Sequence, residues 1–163
     1  MLTALITSIM LFSTDPLPDT YILLPTNPSR IAQEIELGIE EEEELNEDDV
    51  ELLSLLVLAE AEGECDLGKM LVADVVLNRV DSELFPNTIK EVVYEKNQFS
   101  SMHNGRWKKV IVDEETRELV RDEMRDRFCD KAMYFKQNGY FKSSKLTDLY
   151  HVGGHYFSAQ KEE

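Results

Sequence analysis

An apolar run from Leu52 to Ala59 that ends at a single acidic residue, Glu60, most constrains this chain. At helical spacing, Leu53, Leu56 and Glu60 share one face, and a face of that composition belongs in a core. Burial disfavours the charged form of a carboxyl group, so we expect Glu60 to keep a proton near neutral pH. A protonated acid held on a rigid helix beside a cleft is the group that cleaves glycosidic bonds. The alternative is that Glu60 is the first exposed residue of a fraying helix end.

Acidic residues are unevenly distributed along the 163 residues, which carry a net charge of −16. The first 50 residues hold twelve Asp or Glu against one basic residue, Arg30, whereas the remainder holds 21 acidic and 16 basic residues. The clustered basic surface of a nucleic-acid-binding protein is missing, so we predict no such partner. Binding to an anionic membrane is disfavoured for the same reason.

The composition divides the chain into residues 1–49 and residues 50–163. The first part has an apolar start (Met1 to Phe12), four of the five prolines between residues 13 and 30, and a run of glutamates from Glu40 to Glu44. We interpret it as a flexible or partner-binding leader. Its apolar start is too short to span a bilayer and lacks a positive n-region. It is either a signal peptide or a segment that packs on the domain or on a partner. The second part is long enough for one domain.

Helix signals dominate the first two thirds of this domain. We predict a helix capped by Asp48 or Asp49 that runs to about Glu62, with Gly63 as its stop. The further expected elements are a second helix, capped by Asp66, over Leu67 to Val80, a short helix over Ile89 to Tyr94, a loop over Glu95 to Arg106, and a long helix from Asp113 to about Cys129.

The apolar period then changes to that of strands. Met133 to Phe135 is predicted as a strand followed by a tight turn at Asn138-Gly139. Asp148 to Val152 and His155 to Ala159 are predicted to form a hairpin around Gly153-Gly154. The predicted fold class is α+β, mainly helical, with a small antiparallel sheet toward the C-terminus.

Five strings in register resemble the spore cortex-lytic and related cell wall hydrolases. They are LLVLAEAEGE (55–64), GKMLVADVVLNRV (68–80), FPNTIKEVVYEKNQF (85–99), AMYF (132–135) and GGHYF (153–157). The resemblance covers about residues 50–160. It implies a lysozyme-like, lytic transglycosylase-like fold and cleavage of the β-1,4 bond between N-acetylmuramic acid and N-acetylglucosamine in peptidoglycan glycan strands.

The family's catalytic glutamate falls on Glu60, the first acid of AEAEGE. In the lytic transglycosylases that the family resembles, the C6 hydroxyl of muramic acid attacks, so no second carboxylate is needed. This chain has Glu62 where the family usually has arginine, which removes a possible charge partner near the site. Glu64 lies one helical turn beyond Glu60 and is the second-acid candidate, although a loop or capping role is favoured because Gly63 should break the helix.

Further residues are predicted to bind substrate or to support the site. Arg79 can tie the second helix to a carboxylate, and Tyr134 offers a ring and a hydroxyl to a sugar or to Glu60. The complete supporting set is Glu64, Asn78, Arg79, Gln98, Phe99, Ser100, Tyr134 and His155.

Two other functions remain open. A zinc-dependent N-acetylmuramoyl-L-alanine amidase would need His103, His151 and His155 as ligands, but the glycines between the last two argue against a helical pair. A non-catalytic wall-binding module would use the acidic leader to recruit a protein partner. The leading hypothesis needs no metal or cofactor, and it places the protein outside the cell at a wall, or in a phage that attacks a host wall. Cys65 and Cys129 can pair or stay free.

Overall fold

Helix α1 (Glu47–Ala61) contacts every other helix in the computed structural model, which describes residues 44–161. The predicted leader therefore lies almost wholly outside the described residues. Asn46 caps the helix by accepting a hydrogen bond from the N–H of Asp48 at 3.0 Å. The predicted caps, Asp48 and Asp49, instead lie in the first turn, where their negative charges interact favourably with the positive end of the helix dipole. Because α1 is enclosed, its C-terminal half is buried nearly all round.

Helix α2 (Asp66–Val80) packs against α1 and buries ten of its fifteen residues. Asp66 is its first residue and not its cap, because Cys65 occupies the cap position without a side-chain hydrogen bond. The predicted bounds of α3 (Ile89–Tyr94) are confirmed. Thr88 caps its start: the hydroxyl oxygen accepts the N–H of Glu91 at 3.2 Å, and the hydroxyl donates to the Glu91 carboxylate at 2.8 Å.

The predicted loop after α3 contains a one-turn helix, α4 (Ser100–His103), and a 3-10 turn at Arg106–Lys109. Helix α5 (Glu114–Arg125) follows, with Asp113 as its cap. The prediction that this helix continues to about Cys129 is wrong. Beyond its end, side-chain carboxyl groups accept the backbone N–H groups: Glu123 of α5 itself binds that of Phe128, and Asp74 of α2 binds that of Cys129. Side-chain oxygens thereby take the place of the main-chain carbonyls that would accept these N–H groups in a longer helix.

Three antiparallel strands form the sheet: β1 (Tyr134–Gln137), β2 (Leu146–Val152) and β3 (His155–Gln160). The predicted hairpin around Gly153-Gly154 is confirmed, with Val152 opposite His155. Asn138 and Gly139 do form a left-handed turn, with φ of 65° and 92°. That turn does not join neighbouring strands, however, because β1 pairs with β3 and the strand order is β1-β3-β2.

The fold class predicted from the sequence, α+β with a small C-terminal sheet, is confirmed. The core is built mainly from α1, α2 and α3, and Phe157 of β3 is fully buried within it. Both cysteines are free thiols. Within residues 44–161 no helix combines the length and the apolar character needed to cross a bilayer.

Candidate active site

Glu60 lies in the last turn of α1, half-buried, and lines a cavity of about 500 Å³. The hydroxyl of Ser101, from α4, donates a hydrogen bond to Oε1 of Glu60 at 2.5 Å. Ser101 is only 3% exposed, so its position is fixed by the protein interior. The carboxyl group is therefore held at one oxygen while the residue borders the cavity.

The main cavity is walled by the ends of α1 and α2, the segment from residue 97 to residue 106, strand β1 with the loop that follows it, and the start of β3. A second cavity of about 480 Å³ adjoins it and shares Asn97, Ser100 and Asn104. The residues lining the main cavity are Glu60, Arg79, Asn97, Gln98, Phe99, Ser100, Ser101, Asn104, Arg106, Tyr134, Phe135, Lys136, Gln137, Phe141 and His155. Six of the eight predicted supporting residues are among them, and Glu64 and Asn78 are not.

Glu64 fastens the loop between α1 and α2 to the hairpin of the sheet. Its Oε1 accepts the N–H of Gly154 at 3.0 Å and lies 3.4 Å from Nδ1 of His155. The second contact lacks hydrogen-bond geometry, and Nδ1 of His155 has no other partner. The loop position favoured for Glu64 from the sequence agrees with these contacts. Glu64 reaches the cavity only indirectly, through His155.

Asn78 joins α2 to the segment that leads into β1. Its amide donates to the carbonyl oxygens of Cys129 and Ala132, at 2.8 and 2.9 Å, and its oxygen accepts from Arg127 at 3.2 Å. Every side-chain polar atom of this buried residue is thus engaged by protein. Asn78 therefore has a structural role, and none of its polar groups is free to bind a substrate.

Arg79 sits behind the cavity, 5% exposed, and its Nε donates to the carbonyl of Met133 at 2.8 Å. Its guanidinium lies over the rings of Phe85, Phe99 and Tyr134, at 5.0, 5.2 and 5.7 Å from their centroids. Burial lowers the pKa of Arg79 to about 10. The predicted tie between this residue and a carboxylate is not made: Nη1 has no hydrogen-bond partner.

The aromatic members of the predicted set have different environments. Phe99 is 2% exposed, and its ring packs against that of Phe135 with centroids 6.2 Å apart. The Tyr134 hydroxyl donates to Gln160 at 3.2 Å, so it is not directed to Glu60. The Tyr134 ring, in contact with Phe141, still lines the cavity.

The three histidines considered as zinc ligands have separate surroundings. His151 stacks on Tyr156 with ring centroids 3.9 Å apart, and His155 is buried against Phe135 at 5.3 Å. His103 contacts the carbonyl oxygen of Glu95 at 3.3 Å. In the part of the chain that the structure describes, no three His, Cys, Asp or Glu side chains are grouped as metal ligands would be.

Sequence reasoning missed several residues of the site. Ser101 is the most important, because it is the direct partner of Glu60. Its neighbour Ser100 was singled out, yet a small hydroxyl residue in a segment read as a loop carries no signal of which way it faces. Lys136 and Gln137 were missed because β1 was predicted to end at Phe135. Asn97, Asn104, Arg106, Phe135 and Phe141 complete the set that only the tertiary structure brings to the cavity.

The fold and the site define a class of protein. The domain is lysozyme-like: two solved structures, both catalytic domains of SleB proteins, superimpose on it. The domain from Bacillus cereus gives a TM-score of 0.61 at 28% identity and covers 70% of this chain and 91% of its own. That of the germination-specific lytic transglycosylase SleB from Bacillus anthracis gives 0.59 at 27%, with coverage of 69% and 95%.

The chain belongs to the cell wall hydrolase family, whose model matches residues 63–158. The match begins three residues after Glu60. The spore cortex-lytic enzyme of Oceanobacillus iheyensis is 36% identical over 78 residues, which are 47% of this chain and 28% of that protein. The cell wall hydrolase CwlJ of the same organism is 48% identical over 54 residues, 31% of this chain and 38% of its own. The chain thus spans well under half the length of these relatives. The family resemblance inferred from the motifs is confirmed.

Proposed function

We propose that this chain is a peptidoglycan-cleaving glycosidase that acts by the lytic transglycosylase route, with Glu60 as its general acid and base. The observation that carries the proposal is the placement of Glu60, which borders a cavity at the tip of an enclosed helix with one oxygen held by Ser101. The resemblance of the domain to the catalytic domain of a germination-specific lytic transglycosylase supports the same route.

The hydrogen bond from Ser101 assigns roles to the two oxygens of Glu60. Because the hydroxyl donates to Oε1, the proton of a neutral Glu60 belongs on Oε2. Oε2 then protonates the bridging oxygen as the bond from C1 to that oxygen breaks and the sugar gains oxocarbenium character. The C6 hydroxyl of muramic acid attacks C1, its proton passes to Oε2, and a 1,6-anhydro product leaves with the acid restored.

The charges of the cavity favour this route over a two-carboxylate mechanism. Retaining and inverting glycosidases typically use two carboxyl groups that flank the scissile bond. Among the described residues that line the main cavity, Glu60 is the single acidic residue. Glu64, the candidate for a second catalytic acid, accepts a hydrogen bond from Gly154 of the hairpin. An internal hydroxyl nucleophile removes the need for a second acid.

The experiment is to digest purified peptidoglycan with the full chain and to identify the released fragments by mass spectrometry. We expect 1,6-anhydromuropeptides from the parent protein and almost none from Glu60→Gln, which keeps the shape and removes the titrating proton. Glu62→Gln is the matched control, because Glu62 is an exposed acid two residues away. Reducing-end products would indicate hydrolysis, and release of free peptides without glycan cleavage would indicate an amidase. Full activity of Glu60→Gln would place the chemistry elsewhere.

The proposed site of action is a bacterial cell wall, reached from outside the producing cell or, for a phage protein, in the host. The acidic leader, which lies almost wholly outside the described residues, is proposed to bind a protein partner.

A further inference from the structure

Three cationic side chains, those of Arg79, Arg106 and Lys136, line the main cavity beside its one carboxylate, Glu60. The sign is opposite to that of the whole chain, which has a net charge of −16. A concave surface lined by one sign of charge concentrates ligand groups of the other sign. The cavity is therefore suited to an anion, although the protein as a whole repels anions.

Two arginines on the flank of the domain are neutralised by neighbouring acids. On α5, Arg117 binds Glu51 and Glu114, with its shortest ion pair at 2.7 Å. Arg121 binds Glu47 and Glu118 at 2.8 Å and Glu114 at 3.0 Å.

The three cavity cations form no ion pair with any residue between 44 and 161. The free-energy cost of lacking a partner is greatest for Arg79, because burying a charge is strongly unfavourable unless the charge is paired and hydrogen-bonded. Its Nη1 has no acceptor, and its other contacts are one carbonyl and three aromatic faces. Glu95 acts on it electrostatically, yet no Glu95 oxygen is bonded to it, and Oε2 of Glu95 also lacks a partner.

Lys136 is held on the cavity side of β1. Its Nζ lies 5.0 Å from the centroid of the Phe141 ring, and both residues line the cavity. An aromatic face stabilises a cation without cancelling its charge, so Lys136 remains able to bind an anion. Arg106 starts the 3-10 turn that follows α4, the helix that supplies Ser101.

We propose that Arg79, Arg106 and Lys136 form a subsite for a carboxylate carried by the glycan strand; this inference rests on the proposed function. Muramic acid bears a lactyl group whose carboxyl is either free or joined to a peptide with carboxylates of its own. Guanidinium groups bind carboxylates through paired N–H donors, and the ammonium adds a point charge. The subsite distinguishes peptidoglycan from neutral glycans with the same β-1,4 linkage.

The test is calorimetric binding by the Glu60→Gln full chain, which separates recognition from cleavage. The probes are a peptidoglycan tetrasaccharide with free lactyl carboxylates, the same tetrasaccharide bearing stem peptides, and both after conversion of their carboxylates to methylamides. We expect neutralisation to weaken binding by about tenfold, and high salt to remove most of that difference. The stronger binder of the two charged probes identifies which carboxylate the subsite takes.

Variants assign the effect to residues. Arg106→Gln and Lys136→Gln should each lower the preference for charged over neutralised probe by about threefold. Lys90→Gln is the matched control, because it removes one charge from an exposed position outside the cavity lining. Arg79→Gln is not needed, since loss of its bond to Met133 can disturb folding.

Equal binding of charged and neutralised probes would overturn the inference, as would an absence of binding or an equal loss in Lys90→Gln. These results are independent of the cleavage assay. If Glu60→Gln still cuts peptidoglycan, the catalytic proposal fails while the charge preference stands or falls on its own measurement.

Discussion

The hydroxyl of Ser101 donates a 2.5 Å hydrogen bond to Glu60, which lies 41 positions earlier in the chain. The two side chains come from α1 and from the one-turn helix α4. Since α4 supplies Ser100 and follows a segment that supplies Gln98 and Phe99 to the cavity, this contact fixes both the acid and one cavity wall. Ser101 is therefore a positioning residue for the proposed acid.

Replacement of Ser101 by alanine tests that role. Loss of one hydrogen bond to an ionisable group is worth about 1.5–3 kcal/mol, so we expect kcat on peptidoglycan to fall by about tenfold to a hundredfold with little change in KM. Ser101→Thr keeps the hydroxyl and should restore most of the rate. Ser144→Ala, at an exposed loop position, is the control. A Ser101→Ala enzyme with unchanged kcat would show that Glu60 needs no such support.

Asp74 and Glu123 form a buried pair of carboxyl groups whose ionisation should make stability depend on pH. Burial, followed by the hydrogen bond to Glu123 and its charge, raises the pKa of Asp74 from 3.8 to about 8. Oδ1 of Asp74 has no donor unless one of the two acids is protonated, which fits a shared proton. The folded protein then holds a proton that the unfolded chain loses near pH 4. This group's contribution to stability is therefore lost as pH rises toward 8.

Asp74→Asn imitates the protonated acid and should remove this dependence. At about pH 9 we expect the variant to exceed the parent by on the order of 3 kcal/mol in free energy of unfolding, and at about pH 4 to match it. Urea denaturation at both pH values measures the difference. The control is Asp122→Asn, at an exposed acid one position from Glu123. A parent protein whose stability rises between pH 5 and pH 8 by more than the control accounts for would contradict the shared proton.

Gly153 has no room for a side chain because of Glu64. A Cβ there would lie 1.5 Å from Oε2 of Glu64, at a φ of +54°. We expect Gly153→Ala to cost about 2–4 kcal/mol in free energy of unfolding. Gly139→Ala, with φ of +92° and open space around it, should cost only the backbone strain, about 1–2 kcal/mol.

A double-mutant cycle with Glu64→Ala separates the clash from the backbone strain at Gly153. The double variant should be less destabilised than the sum of the single changes, because the clashing carboxylate is gone. Strict additivity in thermal or urea unfolding would mean that the two residues do not meet.

Asn78→Ala should destabilise the domain without altering the chemistry. It leaves the carbonyls of Cys129 and Ala132 without their donors in a buried place, at a cost of about 2–4 kcal/mol. At a temperature where the variant stays folded, kcat should be close to that of the parent. Asn87→Ala, at an exposed position, is the control for stability. A large loss of kcat in folded Asn78→Ala would indicate a direct role in the site.

Local signals in the sequence were enough for most of the secondary structure. Apolar residues at helical spacing located α1 and α2, and Gly153-Gly154 located the β2–β3 turn. The errors arose where distant groups compete for the backbone. After the end of α5, the N–H of Cys129 is bound by Asp74, 55 positions earlier in the chain, and the partner of β1 is a strand about twenty residues away.

The site around Glu60 was likewise predictable where local sequence decides it and unpredictable where tertiary packing does. The sequence alone determined that this acid ends an apolar helix, because the spacing of apolar residues is a local property that each helix carries with it. It also determined the family, through strings in register. Only the tertiary structure decided that Ser101 reaches Glu60, that Glu64 is hydrogen-bonded to the hairpin, and that three cations line the cavity. Those relations join residues tens of positions apart, and they exist only once packing has set the direction of each side chain.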